Sequence, residues 1–316
     1  MATKKQKRTR NTTRRVAHNA LRPENALRFF KTLSPVLTKF MKKRPELQYA
    51  VDYYKGAGYS VMNQLLNFKK YEMQTFGNQI YLSKHQVSDK SPLKSVYETA
   101  YEQFEADPTN IVKAMKAAVL STIIQIQTLQ RAFQLFKAPA KYVLPTLYRG
   151  ISVADPVKQP FHGVVAGQSV TMPGFQSCSL SIETAIGFQS CSSNGPCCLF
   201  VMQVDPAVKF LPLFWGTSES YASSEHEVVL EPYTQFVLDA VQTERLPINV
   251  ARKCNYNKFN ADGTISIDVY YITVKPPATD ASAAFNALED AAKNNLDDSI
   301  MGMKLIVEFG SAPEFP

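Results

Sequence analysis

Two glutamates one residue apart stand directly before an apolar run late in the chain. Glu225 and Glu227 flank His226, and Val228-Val229-Leu230 follow. If this run is a strand, alternate side chains point the same way, so Glu225 and Glu227 share one face and Val228 and Leu230 take the other. Paired carboxylates can stabilise a developing positive charge or accept a proton. The same pattern also occurs as a solvated strand edge.

Two upstream motifs carry other groups that suit charge chemistry. Leu147-Tyr148-Arg149-Gly150 sets an arginine in an apolar strand, where its charge needs a partner or a ligand unless it faces water at the strand edge. In Gly174-Phe175-Gln176-Ser177-Cys178-Ser179-Leu180, hydroxyls alternate along a predicted strand end, a pattern that turns also show.

The hydrophobic pattern divides the elements that must position these groups into a helical part and a later strand-rich part. Apolar residues recur at spacings of three and four before residue 140, which predicts helices. Short β-branched and aromatic runs follow, and with no regular helix between them an antiparallel arrangement is expected. The predicted helices are Glu24–Lys43, with a kink or break at Pro35, Pro45–Lys70, Pro92–Ala106 and Pro108–Phe136; the predicted strands are Thr146–Ser152, Gln168–Met172, Cys197–Val204, Glu227–Glu231, Gln235–Val241 and Ile265–Lys275.

Composition narrows the class of protein. The chain has 316 residues, 45% of them hydrophobic and 20% charged, and a formal net charge of +8. Residues 1–15 hold seven Lys or Arg and no acid, so the rest is nearly neutral. No apolar run is long enough to predict a membrane span, and no apolar core follows the basic N-terminus as in a secretory signal. Five cysteines without a CxxC pair predict reduced thiols rather than a zinc site or disulfide framework.

Read in order, these motifs resemble the mono-ADP-ribosyltransferases of the arginine–serine–glutamate class. The resemblance rests on Tyr148-Arg149-Gly150, on Phe175-Gln176-Ser177-Cys178-Ser179-Leu180-Ser181 and on Glu225-His226-Glu227-Val228-Val229-Leu230. Tyr53-Tyr54-Lys55-Gly56-Ala57-Gly58-Tyr59 with Asn63-Gln64-Leu65-Leu66 also resembles the family's helix that closes over NAD. The resemblance covers roughly residues 45 to 275. Each motif alone is a weak signal for this family, whereas the three motifs in this order are specific for it.

The resemblance implies an α+β fold in which a helical part leans on two roughly perpendicular antiparallel sheets, with NAD in the cleft between them. We divide the chain accordingly. The parts are a disordered basic tail (1–20), a helical N-terminal part (21–140), a β-rich NAD-binding catalytic core (141–275) and a C-terminal extension (276–316) with an Ala-rich helix over Ala281–Asn295 and a strand over Met303–Phe309.

The resemblance also implies roles for single residues. Glu227 would stabilise the oxocarbenium character of the ribose and hold a ribose hydroxyl, and Glu225 would engage or deprotonate the acceptor. Ser177 would hydrogen-bond Glu227 and fix its rotamer. The residues expected to bind NAD, which is a substrate here, are Arg149, Gly150, Tyr54, Tyr59, Asn63, Ser179 and Phe188. No metal is expected, because no second histidine follows His226-Glu227 at the spacing of a zinc-protease motif.

In this family, glutamate at the position of Glu225 goes with arginine acceptors. The resemblance therefore implies transfer of ADP-ribose to arginine on a protein, met by the loop 214–224 with Phe214, Trp215 and Tyr221. The sequence departs from the family at Cys178, where threonine is usual. It also has no Lys or Arg in Ile182–Pro196, where some members bind a phosphate, so more of that task falls to Arg149.

Three other interpretations stay open on the sequence. The cleft could hydrolyse NAD, the basic tail could bring the chemistry to nucleic acid, or the chain could be a structural or packaging protein in which the acid pair is incidental. The tail itself fits a nucleic-acid contact, a nuclear address or a passive solubilising segment. We expect a monomer without a membrane anchor, a toxin-like effector or virus-encoded protein that is cytoplasmic, packaged in a virion or delivered into a host cell.

Overall fold

The computed structural model of the chain describes residues 23–66, 91, 93–109, 111–138, 144–152, 160–187, 197–213, 226–246, 260–262 and 264–278. Several sequence-based expectations lie outside these residues. They are the basic tail, Phe188, the loop 214–224, Glu225 and both elements expected after Lys275.

Helices occupy the described chain before the first strand, as predicted. They are α1 Pro23–Lys42, α2 Pro45–Tyr53, α3 Tyr59–Leu66, α4 Lys94–Ala106 and α5 Ile111–Leu135, with one π-helical turn at Tyr54–Gly58. None of them is long and apolar enough to cross a membrane.

Of the kink or break expected at Pro35, the break is absent, because helix α1 continues through this residue. Leu33, Leu37 and Met41 recur every fourth residue and are buried to 1% exposure or less. Pro35 lies on the exposed face. Water on that side can hydrogen-bond the carbonyl that the proline leaves without an N–H partner, so burial of the opposite face keeps the helix intact.

The predicted long helix from Pro45 is interrupted by the π turn. Gly56 has φ −70° and ψ −117°, which is not helical, and helix α3 begins at Tyr59. Glycine tolerates such a backbone because it has no Cβ, and the chain kinks here between two helical segments. The interruption therefore lies in the segment whose tyrosines were predicted to meet NAD.

The strands form one hydrogen-bonded sheet among the described residues. In chain order they are β1 Leu147–Ser152, β2 Ser169–Met172, β3 Gln176–Ser179, β4 Cys197–Val204, β5 Phe210–Pro212, β6 Glu227–Leu230, β7 Thr234–Leu246 and β8 Ile265–Lys275. Their order across the sheet is β2-β7-β8-β4-β1-β3-β6-β5. The α+β class is confirmed. Strand β5 and the short helix α6, Ile182–Gly187, were not predicted.

Two details of the predicted sheets need correction. The strands are not divided into two separate sheets, because β1 and β3 are hydrogen-bonded neighbours. They share the single register pair Tyr148↔Ser179, so the three strands β3, β6 and β5 join the other five across a narrow seam. The arrangement is also not wholly antiparallel, since β4 and β8 pair in parallel over seven residues from Cys198↔Asp268. Strand β8 thus pairs in parallel with β4 on one edge and antiparallel with β7 on the other.

One hydrophobic core joins the helices to the sheet. It contains Leu120 of α5, Phe175 beside β3 and Phe236 of β7, each fully buried. Phe175 packs on Tyr54 with ring centroids 5.7 Å apart and stacks on Phe133 of α5 at 5.8 Å. Its backbone is fastened too, because Asn63 Oδ1 accepts its N–H (2.8 Å) and Asn63 Nδ2 donates to its carbonyl (3.2 Å). Phe175 is thus the contact through which the helices hold the serine-bearing strand.

We expect Phe175→Ala to lower the free energy of unfolding by about 3–5 kcal/mol, because it removes a fully buried ring and leaves a cavity between helix and sheet. Urea titration followed by circular dichroism measures this. Val165→Ala is the control, since Val165 is 61% exposed. Its effect should stay within about 0.5 kcal/mol. Equal effects of the two substitutions would contradict the central place of Phe175.

Candidate active site

A cavity of about 370 Å³ lies between the π turn and the sheet. Its walls come from the tyrosine-bearing segment on one side and from β1, β3, α6 and β6 on the other. The lining residues are Tyr54, Lys55, Tyr59, Asn63, Tyr148, Arg149, Gly150, Phe175, Ser177, Cys178, Ser179, Ala185 and Glu227. Eight of the ten residues predicted for the site are in this set; Glu225 and Phe188 lie outside the described residues.

Glu227 and Ser177 are joined by a short hydrogen bond. Glu227 opens β6 and pairs with Ser179 of β3, so Ser177 is its diagonal neighbour on the same face of the ladder. The Ser177 hydroxyl donates to Glu227 Oε1 at 2.6 Å. A bond to a charged oxygen is stronger than one between neutral groups, so it holds the carboxylate in one rotamer. The expected contact between these two residues is present.

Arg149 reaches the same point from β1. Its Nη1 donates to the carbonyl of Ser177 at 3.0 Å. This bond fixes the plane of the guanidinium and leaves further N–H groups for other acceptors, since arginine has five. Arg149, which the sequence placed in an apolar strand, is half-buried. It contacts Ser177 and lines the same cavity as Glu227.

Cys178 lies at the meeting point of these groups. Burial raises the pKa of its thiol to about 12, with Arg149 opposing and Glu227 adding to the shift. The side chain is 4% exposed, and Sγ lies 3.5 Å from the carbonyl of Gln176. The thiol is neutral at physiological pH.

Two tyrosines form the helical wall of the cavity. Tyr54 is 2% exposed and Tyr59 is 53% exposed, with their ring centroids 6.3 Å apart. Burial raises the pKa of Tyr54 far above its usual range, and the charge of Glu227 adds to the shift while Arg149 opposes it. Its hydroxyl lies beside the Asn63 amide but makes no hydrogen bond of good geometry within the described chain. A buried, protonated donor thus lines the cavity.

The structure adds lining residues that the prediction did not name. Lys55, Tyr148 and Cys178 also line the cavity. Each is a sequence neighbour of a predicted site residue, so the motifs contained them, but no sequence signal indicated that they line it. Lys55 Nζ donates to the carbonyl of Leu213 at 2.7 Å. Ala185 comes from α6, which no sequence signal predicted. Asn63, predicted to bind NAD, is held by both backbone groups of Phe175 and so fastens α3 to β3.

The start of β6 differs from the predicted alternation. The strand begins at Glu227, and His226 before it has φ 49°, in the left-handed region. The regular alternation of β6 therefore begins at Glu227. Val228, Val229 and Leu230 are all buried, so both faces of β6 are covered beyond Glu227.

Comparisons with known proteins give the following. No protein-family model matches the chain, and no curated protein matches it. Among solved structures, the chain is similar to the catalytic domain of VahC from Aeromonas hydrophila (15% identity, 73% of this chain and 97% of that chain covered, TM-score 0.40). It is also similar to Plx2a, an ADP-ribosyltransferase toxin from Paenibacillus larvae (13%, 79% and 96%, 0.43). A third is the Vis toxin, an ADP-ribosyltransferase from Vibrio splendidus (16%, 83% and 88%, 0.37).

We expect Cys178 to resist alkylation in the folded protein. Its raised pKa leaves almost no thiolate, the reactive form, at about pH 8.5. Iodoacetamide labelling followed by peptide mass spectrometry should show native Cys178 reacting at least about a hundredfold more slowly than in urea-unfolded protein. Equal rates in the two states would contradict the buried placement of this thiol.

We expect Gly58→Ala to disturb the π turn, because an added Cβ would lie 2.5 Å from the carbonyl oxygen of Tyr53 and also against its ring. The free energy of unfolding should fall by about 1–3 kcal/mol, as in other overpacked sites. Gly187→Ala is the matched control, since no atom lies within 4 Å of its added Cβ. Thermal unfolding compares the two; a larger loss at Gly187 would rule out this account of the turn.

Proposed function

We propose that the protein is a mono-ADP-ribosyltransferase that transfers ADP-ribose from NAD to arginine on a target protein and releases nicotinamide. The observation that carries the proposal is the meeting of Arg149, Ser177 and Glu227 in one cavity. The arginine acceptor rests on the sequence pattern at Glu225.

The residues in the cavity suit the chemistry of NAD. The planar guanidinium of Arg149 offers paired donors for phosphate oxygens, and Lys55 adds a second positive charge. The exposed ring of Tyr59 offers a surface for stacking, and the buried Tyr54 hydroxyl offers a donor. At about 370 Å³ the cavity falls within the range of small-molecule sites and suits part of a dinucleotide.

Breaking the bond between nicotinamide and ribose develops positive charge on the sugar, as in glycoside cleavage. Glu227 provides a negative charge for it in a fixed position. Ser177 donates to Oε1 of this carboxylate, and we assign to Glu227 the further task of holding a ribose hydroxyl. The carboxylate does not have to reorganise when the charge appears, which is the main source of electrostatic rate acceleration.

The acceptor step requires a second group. An arginine guanidinium is a poor nucleophile while it is protonated, so a carboxylate that takes a proton from it raises its reactivity. We assign this task to Glu225, two residues before Glu227. We assign contact with the target to residues 214–224, which lie in the sequence between β5 and Glu225.

Incubation with NAD labelled on the adenylate and with a lysate tests the proposal. Label that stays with protein, survives nuclease and maps to arginine supports it. Label lost on nuclease treatment indicates a nucleic-acid acceptor, and label found only as free ADP-ribose indicates hydrolysis alone. Absence of nicotinamide release under all conditions would overturn the proposal.

We expect Glu227→Ala to lower both transfer to a small guanidino acceptor such as agmatine and hydrolysis of NAD, each by a factor of about 10² or more, because both steps need the same charge stabilisation. Glu225→Ala should remove transfer and leave hydrolysis measurable. Glu102→Ala, an exposed change on α4, is the control and should alter neither. Equal loss of both activities from the Glu225 change would contradict the division of roles between the two glutamates.

A further inference from the structure

Asn63 holds the backbone of Phe175 in the way that a residue of a neighbouring strand would. It lies on α3, 112 residues from Phe175 in the chain. Its Oδ1 accepts the Phe175 N–H at 2.8 Å, and its Nδ2 donates to the Phe175 carbonyl at 3.2 Å. Opposite residues of a hydrogen-bonded antiparallel pair exchange the same two bonds. The side-chain amide of Asn63 thus continues the ladder of β3 by one residue.

This contact lies at the end of β3 that its pairing with β1 does not reach. The register of β3 with β1 consists of one pair, at Ser179, the last residue of the strand. At the start of β3, Ser177 pairs with β6 and accepts the bond from Arg149 on its carbonyl. Phe175 and Ser177 are about 7 Å apart along an extended chain, so a shift of the Phe175 backbone reaches the Ser177 hydroxyl. That hydroxyl is the donor to Glu227 Oε1 at 2.6 Å.

The amide of Asn63 is largely occupied by protein groups. A primary amide has two N–H donors and two acceptor sites on its oxygen. Phe175 takes one of each, and the Tyr54 hydroxyl lies beside the same amide. A ligand that displaced Phe175 from the amide would leave backbone groups of a fully buried residue unpaired, which is costly. The geometry therefore favours a task in holding the protein over a task in binding NAD.

We propose that Asn63 is a positioning residue, which holds the start of β3 so that Ser177 keeps the Glu227 carboxylate in place. Its effect falls on the rate of nicotinamide release, while other residues bind NAD. The role rests on the proposed function, because the place of the carboxylate affects the rate only if Glu227 stabilises the positive charge of the ribose. This task differs from the contact with NAD that the sequence pattern predicted for Asn63.

The test replaces Asn63 by leucine, which has a similar size and makes no side-chain hydrogen bonds. Nicotinamide release is measured at increasing NAD with saturating agmatine, so transfer and hydrolysis are counted together. We expect Asn63→Leu to lower kcat by a factor of about 10 to 100, because small displacements of reacting groups are costly in rate. The KM for NAD should change by less than about threefold, since the interaction that is lost acts in the transition state. Arg149 and Tyr59, which we assign to NAD, come from β1 and from the start of α3.

Asn260→Leu is the matched control. Asn260 Nδ2 donates to the hydroxyls of Thr264 and Ser266 at 2.8 and 3.1 Å, and Asn260 is not among the residues that line the cavity. This variant also loses the bonds of a side-chain amide, so it should keep the kcat and KM of the wild type. Circular dichroism establishes that each variant is folded at the assay temperature. If Asn63→Leu does not fold, Asn63→Ala removes the same two bonds without added bulk and should give the same result.

Hydrogen exchange supplies a readout that does not depend on activity. The Phe175 N–H loses its acceptor in Asn63→Leu, so this amide should exchange at least about tenfold faster than in the wild type. Asn260→Leu should leave the exchange of the Phe175 amide unchanged.

The outcomes separate this role from the proposed function. A wild-type protein that releases no nicotinamide from NAD overturns both. With an active wild type, a KM that rises about tenfold at unchanged kcat identifies Asn63 as a residue that binds NAD, and overturns the positioning role. Unchanged kcat and KM, or unchanged exchange at Phe175, also overturn that role. Each of these results leaves the proposed function standing.

Discussion

The arrangement of the cavity depends on one constraint: the carboxylate of Glu227 must be held in place at the first position of β6, a strand that is otherwise buried. Glu227 opens β6, and the next three residues are buried on both faces. A carboxylate in such a place is costly unless donors meet it. The Ser177 hydroxyl meets it at 2.6 Å, and Arg149 holds the backbone of that serine from the neighbouring strand. Ser177 therefore holds Glu227, and Arg149 holds Ser177. These contacts form only if β3 pairs with β6 and with β1 in the observed register.

The helices contribute by fastening the strand that carries the serines. Asn63 bonds both backbone groups of Phe175, and the Phe175 ring is enclosed by Tyr54 and Phe133. Because Phe175 precedes β3 by a single residue, movement of α3 would carry Ser177 with it. The aromatic packing around Phe175 thus also holds the strand that carries Ser177 in place.

The sequence was enough to predict those parts of the fold that depend on local pattern. Strands β4 and β8 have the predicted bounds, since continuous apolar and β-branched runs end at turn residues there. The π turn, β5 and the parallel pairing of β4 with β8 depend on contacts between distant segments, which periodicity does not contain. The same holds for the site. Ser177 and Glu227 stand in motifs that the sequence shows, whereas the contact of Lys55 with Leu213 joins segments far apart in the chain and is visible only in the structure.

Both cations that line the described part of the cavity are attached to backbone carbonyls, Arg149 to Ser177 and Lys55 to Leu213. A long side chain free in water loses conformational entropy when it binds an anion, and here that loss is already met on folding. The same two bonds keep two positive charges in the cavity that Glu227 also lines. Fixed cations together with a fixed carboxylate suit a ligand that carries anionic groups and develops positive charge when it reacts.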